Sequence, residues 1–241
     1  MTNGDLWDMI HTILKKESKG NILKPDRFTD LLQQCHLEYY NQQYEKWAVS
    51  QTSLDSMRPF VMIDQSVTFS SGTASLSSTP FDSKPYQHLI AARTSSGGVD
   101  ILSAKEVNEW TGDAVMAPST SYPVMTVDGS NLHIYPNTIT AVTVSYLKTA
   151  DSDPVFDYYI DSNYTVQYLT NGETHTLTTG ETGSGGESAP TEVTGASVEL
   201  EWGDNDKINI ISLILEKLGV SLQAPDITQY AMALEQKQNV A

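Results

Sequence analysis

Residues 25–47, PDRFTDLLQQCHLEYYNQQYEKW, decide the fold because their apolar side chains recur at the spacing of an amphipathic helix. Residues 4–16, GDLWDMIHTILKK, show the same spacing at the start of the chain. Two further stretches show it near the end, KINIISLILEKLG at 207–219 and APDITQYAMALEQ at 224–236. We therefore predict two helices at each end of the chain, which together form a helical layer.

Short runs of β-forming residues fill the chain between these helices, and turn residues separate the runs. We therefore predict an α+β fold. In it a small helical bundle, residues 1–50 and 204–241, carries an inserted antiparallel β domain of sandwich or barrel type, residues 51–203. Within this domain we expect a short helix near 103–112. We also expect a mobile loop at 178–190, which is rich in Gly, Ser and Glu.

Local motifs predict several of these elements. Ser103 and Glu106 have the spacing of a capping box, which starts the short helix. Asp128-Gly129 predicts one β-hairpin, and Asn171-Gly172 predicts a second within residues 164–177. The sequence SVELEW that ends at Trp202 predicts a further strand before the third long helix.

The chain is strongly acidic, with 30 Asp and Glu against 14 Lys and Arg and a net charge of −16. Its pI is near 4.5. Tight non-specific binding of nucleic acid needs Lys and Arg, so the composition argues against a general nucleic-acid binder. The acidity suits the wall of a passage through which DNA moves without adhering, and it equally suits a protein that only needs to stay in solution.

Cysteine use and hydropathy indicate the compartment. The single Cys35 excludes an internal disulfide, and no cationic-then-apolar leader opens the chain. The apolar run at 208–215 is too short to span a bilayer. We expect a protein that is made in a cytosol and stays there, or in a particle assembled there, with no membrane partner.

Candidate sites for chemistry are weak. Asp204–Asp206 resemble the start of a calcium loop, but Ile208 takes a ligand position, so Asp206 is better explained as a helix cap. The glycines at 183, 185 and 186 lack the Lys-Ser/Thr of a phosphate loop. The histidines lack the paired spacing of a metal site: His11, His36, His88, His133 and His175. We predict no catalytic, cofactor-binding or metal-binding residue, no cofactor, and no enzymatic activity.

A tyrosine-rich stretch leaves two interpretations open. Tyr158, Tyr159, Tyr164 and Tyr168 could stack on a sugar or on a protein partner, which would make the chain a β-rich binding module. The same residues are equally typical of a half-buried strand.

Six stretches follow one another in a distinctive order: RFTDLLQQCHLEYYNQQYEKW at 27–47, PYQHLIAAR at 85–93, ILSAKEVNEW at 101–110, APSTSYPVMTVDGSNLHIYP at 117–136, VTVSYLKTADSDPVFDY at 142–158 and VELEWGDNDKINIISLILEKLGVSL at 198–222. This order and phrasing resemble the head–tail connector (adaptor, ring) proteins of tailed bacteriophages, and most of all the neck ring proteins of crAss-like phages. The resemblance covers most of residues 1–230 and is weakest at 161–197.

The resemblance implies a helical bundle with an inserted β domain, of which about twelve copies form a closed ring beneath the portal protein. The ring would extend the DNA channel, and DNA would pass through its lumen without tight binding. It would also offer a docking surface to the next tail or neck ring proteins. The implied location is the neck of the virion, after assembly in the host cytoplasm. A tail-tube protein and a capsid-decoration protein remain alternatives.

A ring of identical subunits needs two different patches on each subunit that meet and close. We expect the aromatic half of the second helix and the last helix to supply them. The candidate residues are Tyr40, Tyr44, Trp47, Ile227, Tyr230 and Leu234. The hairpin predicted at 164–177 is a candidate segment for reaching a neighbour, through Tyr164, Tyr168, Asn171 and Gly172.

Overall fold

The computed structural model of the protein describes residues 1–16, 23–46, 55–113, 116–150 and 153–219. The chain forms two compact units. Unit 1 joins Met1–Pro59 to Ser152–Ala241, and unit 2 is Phe60–Asp151. Helices together with a large mixed sheet confirm the predicted α+β class.

The structure describes four helices and twelve strands. The helices are α1 (Asn3–Lys16), α2 (Pro25–Lys46), α3 (Ala104–Gly112) and α4 (Asp204–Lys217). The strands are β1 (Val61–Thr68), β2 (Thr73–Ser75), β3 (Tyr86–Thr94), β4 (Gly97–Ile101), β5 (Val124–Asp128), β6 (Asn131–Tyr135), β7 (Ala141–Lys148), β8 (Tyr158–Ile160), β9 (Val166–Tyr168), β10 (Thr174–Thr176), β11 (Thr182–Gly183) and β12 (Glu192–Thr194). Within the described residues, no helix combines the length and the apolar composition that a membrane crossing requires.

The helices of unit 1 pack through the apolar faces that their sequences predict. Helix α4 contacts both α1 and α2. The fully buried apolar side chains are Leu6, Ile10 and Leu14 of α1, Phe28, Leu32 and Cys35 of α2, and Ile210, Ile211, Ile214 and Leu215 of α4. Because burying a large apolar side chain contributes about 1.5–3 kcal/mol, this layer is a large source of stability in unit 1.

An aromatic cluster ties the returning chain to these helices. The ring centroid of Phe156 lies 5.3 Å from that of Trp7 and 5.1 Å from that of Phe28. Tyr168 stacks on Phe156 at 5.4 Å. Gly4 leaves room for this contact, since a Cβ atom there would lie only 2.8 Å from the Tyr168 ring.

Asn3, fully buried at the start of α1, holds two extended segments beside that cluster. Its side-chain amide donates hydrogen bonds to the carbonyl oxygens of Val155, at 3.1 Å, and Val198, at 2.7 Å. Val155 and Val198 also pair with each other as an isolated antiparallel bridge. The backbone N–H of Asn3 donates to the Glu199 carboxylate at 2.6 Å. The start of α1 therefore contacts both ends of residues 153–203.

The boundary of the inserted domain is a correction to the prediction. The insertion is residues 60–151, whereas residues 51–203 were expected. Residues 153–203 belong to unit 1 because Asn3 and Phe156 hold them against its helices. The strand predicted to end at Trp202 is also wrong, since that stretch contributes only the bridge between Val198 and Val155.

The hairpin predicted at 164–177 is wrong as well. β9 pairs with β8 and β10 pairs with β12, so the strands on either side of Asn171-Gly172 belong to different sheets. The turn itself forms, with Gly172 at a φ of +78°, but the Gly172 N–H donates to the carbonyl oxygen of Gly195. A Cβ atom at Gly195 would collide with the carbonyl oxygen of Thr170. Because Gly195 comes this close, the Asn171-Gly172 turn bonds to Gly195, and the strands before and after the turn do not pair with each other.

The segment 178–190, expected to be a loop without fixed structure, is partly regular. β11 pairs with β8, and Thr182 also bridges Ser188. The Glu181 carboxylate accepts a hydrogen bond from the Thr178 N–H at 2.7 Å, and the Glu187 carboxylate accepts one from the Gly185 N–H at 3.0 Å. Carboxylates thus bind the backbone here where large apolar side chains are missing, and the mobility expected of this segment stays a prediction.

Unit 2 contains one seven-stranded sheet in the order β1-β7-β3-β4-β5-β6-β2. Neighbouring strands are antiparallel except β4 and β5, which are parallel and are connected through α3. β1 and β2 are opposite edges of the sheet, yet only residues 69–72 separate them in the chain. The sheet must therefore curl back towards its own start. Its core is formed by Val67, Phe69, Phe81, Met125, Leu132, Ile134, Val144 and Tyr146.

Two local motifs of unit 2 are confirmed. Ser103 is the N-cap of α3, and its side chain and that of Glu106 form the reciprocal hydrogen bonds of a capping box. Asp128 ends β5, and Gly129, with a φ of +57°, begins the tight turn into β6.

The first turn of α4 differs from the prediction. Gly203 is the N-cap, without a side-chain hydrogen bond, and Asp206 lies inside the helix. The Asp206 carboxylate accepts a hydrogen bond from the Tyr39 hydroxyl at 2.8 Å. This carboxylate therefore joins α4 to α2, and it does not cap the helix.

The hydrogen bonds of Asn3 lead to a test of what holds unit 1 together. Replacing Asn3 with Ala should lower the free energy of unfolding by about 1–3 kcal/mol, because the carbonyl oxygens of Val155 and Val198 each lose one of two donors and keep only the N–H of their mutual bridge. Asn3→Asp should cost more, since a carboxylate would face those same oxygens and Glu199. Urea denaturation measures both changes.

Asn108→Ala is the matched control, because Asn108 is exposed on α3 and should change stability by less than about 0.5 kcal/mol. An Asn3→Ala protein as stable as this control would contradict the role given to Asn3.

Candidate interaction surface

The turn between β8 and β9, residues 161–165, is held by one carboxylate. Asp161 Oδ1 accepts hydrogen bonds from the N–H groups of Asn163, at 2.8 Å, and Thr165, at 2.9 Å. Asp161 Oδ2 accepts one from the side-chain amide of Gln167 at 3.1 Å. The hydrogen bond from Thr165 is the main reason why the pKa of Asp161 lies below its usual value. The turn therefore keeps these hydrogen bonds at every pH at which the Asp161 carboxyl group is ionised.

Tyr164 stands on this turn with its side chain in solvent. Its exposed fraction, 90 %, is the highest among the large hydrophobic side chains that the structure describes. Its φ is +61°, in the left-handed region, which costs a residue other than glycine about 1–2 kcal/mol. The exposed Tyr164 ring does not pack in the core, so core packing does not offset this backbone strain. Strain of this kind is typical of binding sites.

A groove of about 720 Å³ lies beside Tyr164. Trp7 and His11 line it from α1, and their rings stack at 5.3 Å with an angle of 13° between their planes. Lys15 and Lys24 line it as well. The groove thus combines an aromatic wall with cationic side chains.

The charge of this groove differs from the charge of the chain. Its lining holds Lys15 and Lys24 against one carboxylate, Asp8. Burial is the main cause that raises the pKa of Asp8 above its usual value. The lining thus has two lysines for one carboxylate in a protein of net charge −16, and the nearby Asp5 carboxylate also raises the pKa of Asp8.

Residues 153–203, here called the acidic segment, contain nine Asp and Glu and no Lys or Arg. Six of these nine carboxylates accept a hydrogen bond from a backbone N–H: those of Asp157, Asp161, Glu173, Glu181, Glu187 and Glu199. Glu192 is exposed on β12 and is not one of these six. Four of the nine therefore stabilise turns of this segment, two join it to other parts of unit 1 or to its own far end, and Glu192 remains on the surface.

The four tyrosines of the stretch considered for sugar binding do not line one groove. Tyr158 is buried and donates a hydrogen bond to Asp26 at 2.9 Å; burial raises its pKa to about 12. Tyr168 packs on Phe156, as described above, and Tyr159 stacks on the His175 ring at 3.9 Å. Tyr164 alone of the four has its ring largely in solvent.

The candidate interface on α2 is only partly on the surface. Tyr40 is 5 % exposed, and its ring packs edge-on against Trp202 in the core of unit 1. The structure therefore does not place Tyr40 where an interface would need it. Tyr44 and Leu37, seven residues apart on the same helix, are 37 % and 56 % exposed. The remaining candidates lie outside the described residues: Trp47, Ile227, Tyr230 and Leu234.

The candidate residues of the predicted hairpin are separated by the true strand pairing. Tyr164 lies on the turn between β8 and β9, and Tyr168 packs inside unit 1. Asn171 and Gly172 form their own exposed turn before β10. Of the four, Tyr164 is therefore the residue best placed to contact another molecule.

Unit 2 has exposed apolar side chains of its own. Tyr122 and Met116 precede β5 and are 77 % and 50 % exposed. Ile63 is 65 % exposed on the edge strand β1. These residues offer contact area, and the groove that Thr94, Thr120 and Thr138 line in unit 2 has no charged side chain in its lining.

A buried histidine fixes the end of the acidic segment against α2. The Trp202 indole N–H donates a hydrogen bond to His36 Nδ1 at 2.7 Å, so the imidazole must be neutral at that nitrogen. Burial lowers the pKa of His36, and the charges of Glu201 and Asp153 oppose this shift. The contact therefore depends on pH.

Metal chemistry finds no support in the ranges that the structure describes, where no three His, Cys, Asp or Glu residues lie together as a metal site would require. No protein-family model and no curated protein matches this chain.

Reasoning from the sequence missed the groove, although one of its features is visible there. Residues 153–203 have no Lys or Arg, whereas residues 15–24 contain four lysines, at 15, 16, 19 and 24, so the start of the chain is visibly more basic. The position of Tyr164 at positive φ could not be read from the sequence, because Asp161-Ser-Asn163 signals a turn without saying which residue adopts the left-handed conformation.

The exposure of Tyr164 predicts that its ring is dispensable for folding. Replacing Tyr164 with Gly should change the free energy of unfolding by less than about 1 kcal/mol, because relief of the left-handed conformation offsets the extra freedom of glycine in the unfolded chain. Tyr168→Ala, at a packed tyrosine three residues after the turn ends, should cost about 3–5 kcal/mol. Chemical denaturation of the two variants decides, and a large loss in Tyr164→Gly would show that the ring has a structural role.

The neutral state of His36 predicts that stability falls in mild acid. Because folding lowers the pKa of His36, the unfolded chain takes up a proton first, and the free energy of unfolding falls as the pH drops below about 6.5. Each pKa unit between the folded and unfolded values contributes about 1.4 kcal/mol. Denaturation curves from pH 7.5 to 5.5 measure this loss.

Burial also lowers the pKa of His88 in unit 2, so His88 adds to the loss of stability in mild acid. The effect of His36 is therefore measured in a protein that carries His88→Gln. There, His36→Gln should remove the remaining slope, since glutamine can still accept a hydrogen bond from Trp202. An unchanged slope would contradict the assignment.

Proposed function

We propose that the protein is a structural component of a phage virion, a head–tail connector whose copies form a closed ring beneath the portal. The observation that carries the proposal is the architecture along the chain. A unit built on helices from both ends is interrupted between Pro59 and Ser152 by a separate seven-stranded β unit. The connector resemblance of residues 27–47 and 198–222 implies the same general order of elements.

The distribution of charge supports a passive role around DNA. Unit 2 contains eight Asp and Glu and four Lys and Arg, so three quarters of the net charge of −16 lies in unit 1. Duplex DNA is held non-specifically in proportion to the phosphates that a protein neutralises. A subunit with this balance would let DNA pass without gripping it.

The same charge opposes assembly of the subunit by itself. Like charges repel when many copies are brought together, and contacts with a partner ring must offset this repulsion. We therefore expect the isolated chain to be largely monomeric in dilute solution and to form its ring on the portal.

Exposed aromatic residues on fixed turns support an adhesive role. Tyr164 in unit 1 and Tyr122 in unit 2 are the two most exposed of the large hydrophobic side chains described. Tyrosine is over-represented among the residues that dominate binding energy at interfaces. A connector subunit, which must contact its neighbours and other rings, uses several such residues.

The location of the chain in the virion tests the proposal. In particles produced from the genome that encodes it, a gold-labelled antibody against this chain should mark one vertex of the head, where the tail joins. Quantitative mass spectrometry should find about twelve copies per particle. An antibody against the major capsid protein is the control and should label the whole head.

Other labelling patterns would contradict the proposal. Label over the whole head would indicate a decoration protein, and label along the tail would indicate a tube protein. Purified particles without label, from cells in which the chain is made, would exclude a virion role.

A further inference from the structure

We propose that the groove beside Tyr164 binds the acidic segment of a second copy of this chain. The proposal rests on the ring described above, because it supplies the two surfaces that meet between neighbouring subunits. Its basis is the juxtaposition of an exposed ring, a cationic groove and a segment of the same chain that has only negative charges.

The exposed ring is organised before any partner arrives. Asp161 fixes the turn through three hydrogen bonds, and the turn carries Tyr164 into solvent. A side chain on a rigid turn loses little conformational entropy when it is buried in a contact. Tyr164 therefore has the properties of an anchor residue for a partner.

Charge selects the partner. Lys15 and Lys24 line the groove, and the copies that would meet each other in the proposed ring are strongly acidic, with a net charge of −16 each. The acidic segment offers nine carboxylates without a competing Lys or Arg. Glu192 is the best placed of these, since it is exposed on β12 and is not engaged in capping a turn.

The groove and the part of the acidic segment around Glu192 are different patches of one subunit, since Glu192 is not among the residues that line the groove, and a ring requires two such patches. If the groove of one copy bound the same groove of a second copy, the result would be a closed dimer. If it binds a different patch of the second copy, the contacts can continue from subunit to subunit around a ring. The contact between Lys15 or Lys24 and the acidic segment is of the second kind.

Zero-length cross-linking of the full chain tests the contact. Equal amounts of normal and 15N-labelled protein are mixed at high concentration and treated with a carbodiimide, which joins an amine to a carboxylate only when the two touch. We expect cross-linked peptides of mixed isotope that join Lys15 or Lys24 to the acidic segment, with Glu192 among the sites.

Variants identify the groups responsible. Tyr164→Gly should reduce the mixed-isotope cross-links about tenfold, in line with the loss of an anchor residue at an interface. Lys24→Glu and Glu192→Lys should each reduce them, and a mixture of these two variants should form a new cross-link between positions 24 and 192. Lys105→Glu, at an exposed lysine of α3, is the matched control and should leave the yield unchanged.

Two results would overturn the inference: no mixed-isotope cross-link at Lys15 or Lys24, or an undiminished yield in Tyr164→Gly. The failure of the inference is distinguishable from that of the proposed function. Gold label at one vertex without these cross-links refutes the contact and keeps the connector role. Cross-links without label at the vertex support the contact and refute the connector role.

Discussion

The side-chain amide of Asn3 is the constraint on which unit 1 depends. Its two N–H bonds serve two carbonyl oxygens, Val155 and Val198, that stand at opposite ends of the acidic segment. Only a primary amide has this pair of donors together with a neutral charge at that size. The Oδ1 atom of Asn3 is buried without a hydrogen-bond partner among the described residues, a cost that the two bonds outweigh. Without Asn3, the acidic segment would keep the Phe156 cluster, the contacts of Trp202 and its hydrogen bonds to α2, such as that of Tyr158 with Asp26, but it would lose its contact with the start of α1.

In the acidic segment, hydrogen bonds to carboxylates provide stabilisation that buried apolar side chains provide elsewhere in the chain. Its strands are two or three residues long, too short to bury much surface, and its turns are fixed by hydrogen bonds from backbone N–H groups to Asp and Glu. These bonds lower the pKa of Asp161, Glu173 and Glu181. Their contribution to stability is complete above the usual carboxyl range and is lost as the pH falls through the lowered values. Six of the 30 Asp and Glu of the chain therefore have a structural role within this segment.

The elements that the sequence predicts well are those decided by local chemistry. The spacing of Leu6, Ile10 and Leu14 requires a helix with one buried face, and Ser103 with Glu106 requires a helix start. The pairing after Asn171-Gly172 could not be predicted, because the close approach of Gly195 decides it from more than twenty residues away. The boundary of the insertion failed for the same reason, since Asn3 acts across about 150 residues of chain. The groove has one feature of each kind. Its lysines can be read from the sequence, whereas the neighbouring turn with Tyr164 is seen only in the tertiary structure.

An acidic chain limits how its copies can meet. Contact between two negative surfaces costs energy, so most relative orientations of two subunits are disfavoured before any packing is considered. An orientation that sets carboxylates against Lys15 and Lys24 avoids this cost, and Tyr164 beside them adds apolar area that a merely electrostatic contact would lack. Since such attraction weakens with salt while the burial of the ring does not, the two contributions separate experimentally. The excess of negative charge therefore restricts the choice of neighbour and orientation as well as opposing assembly.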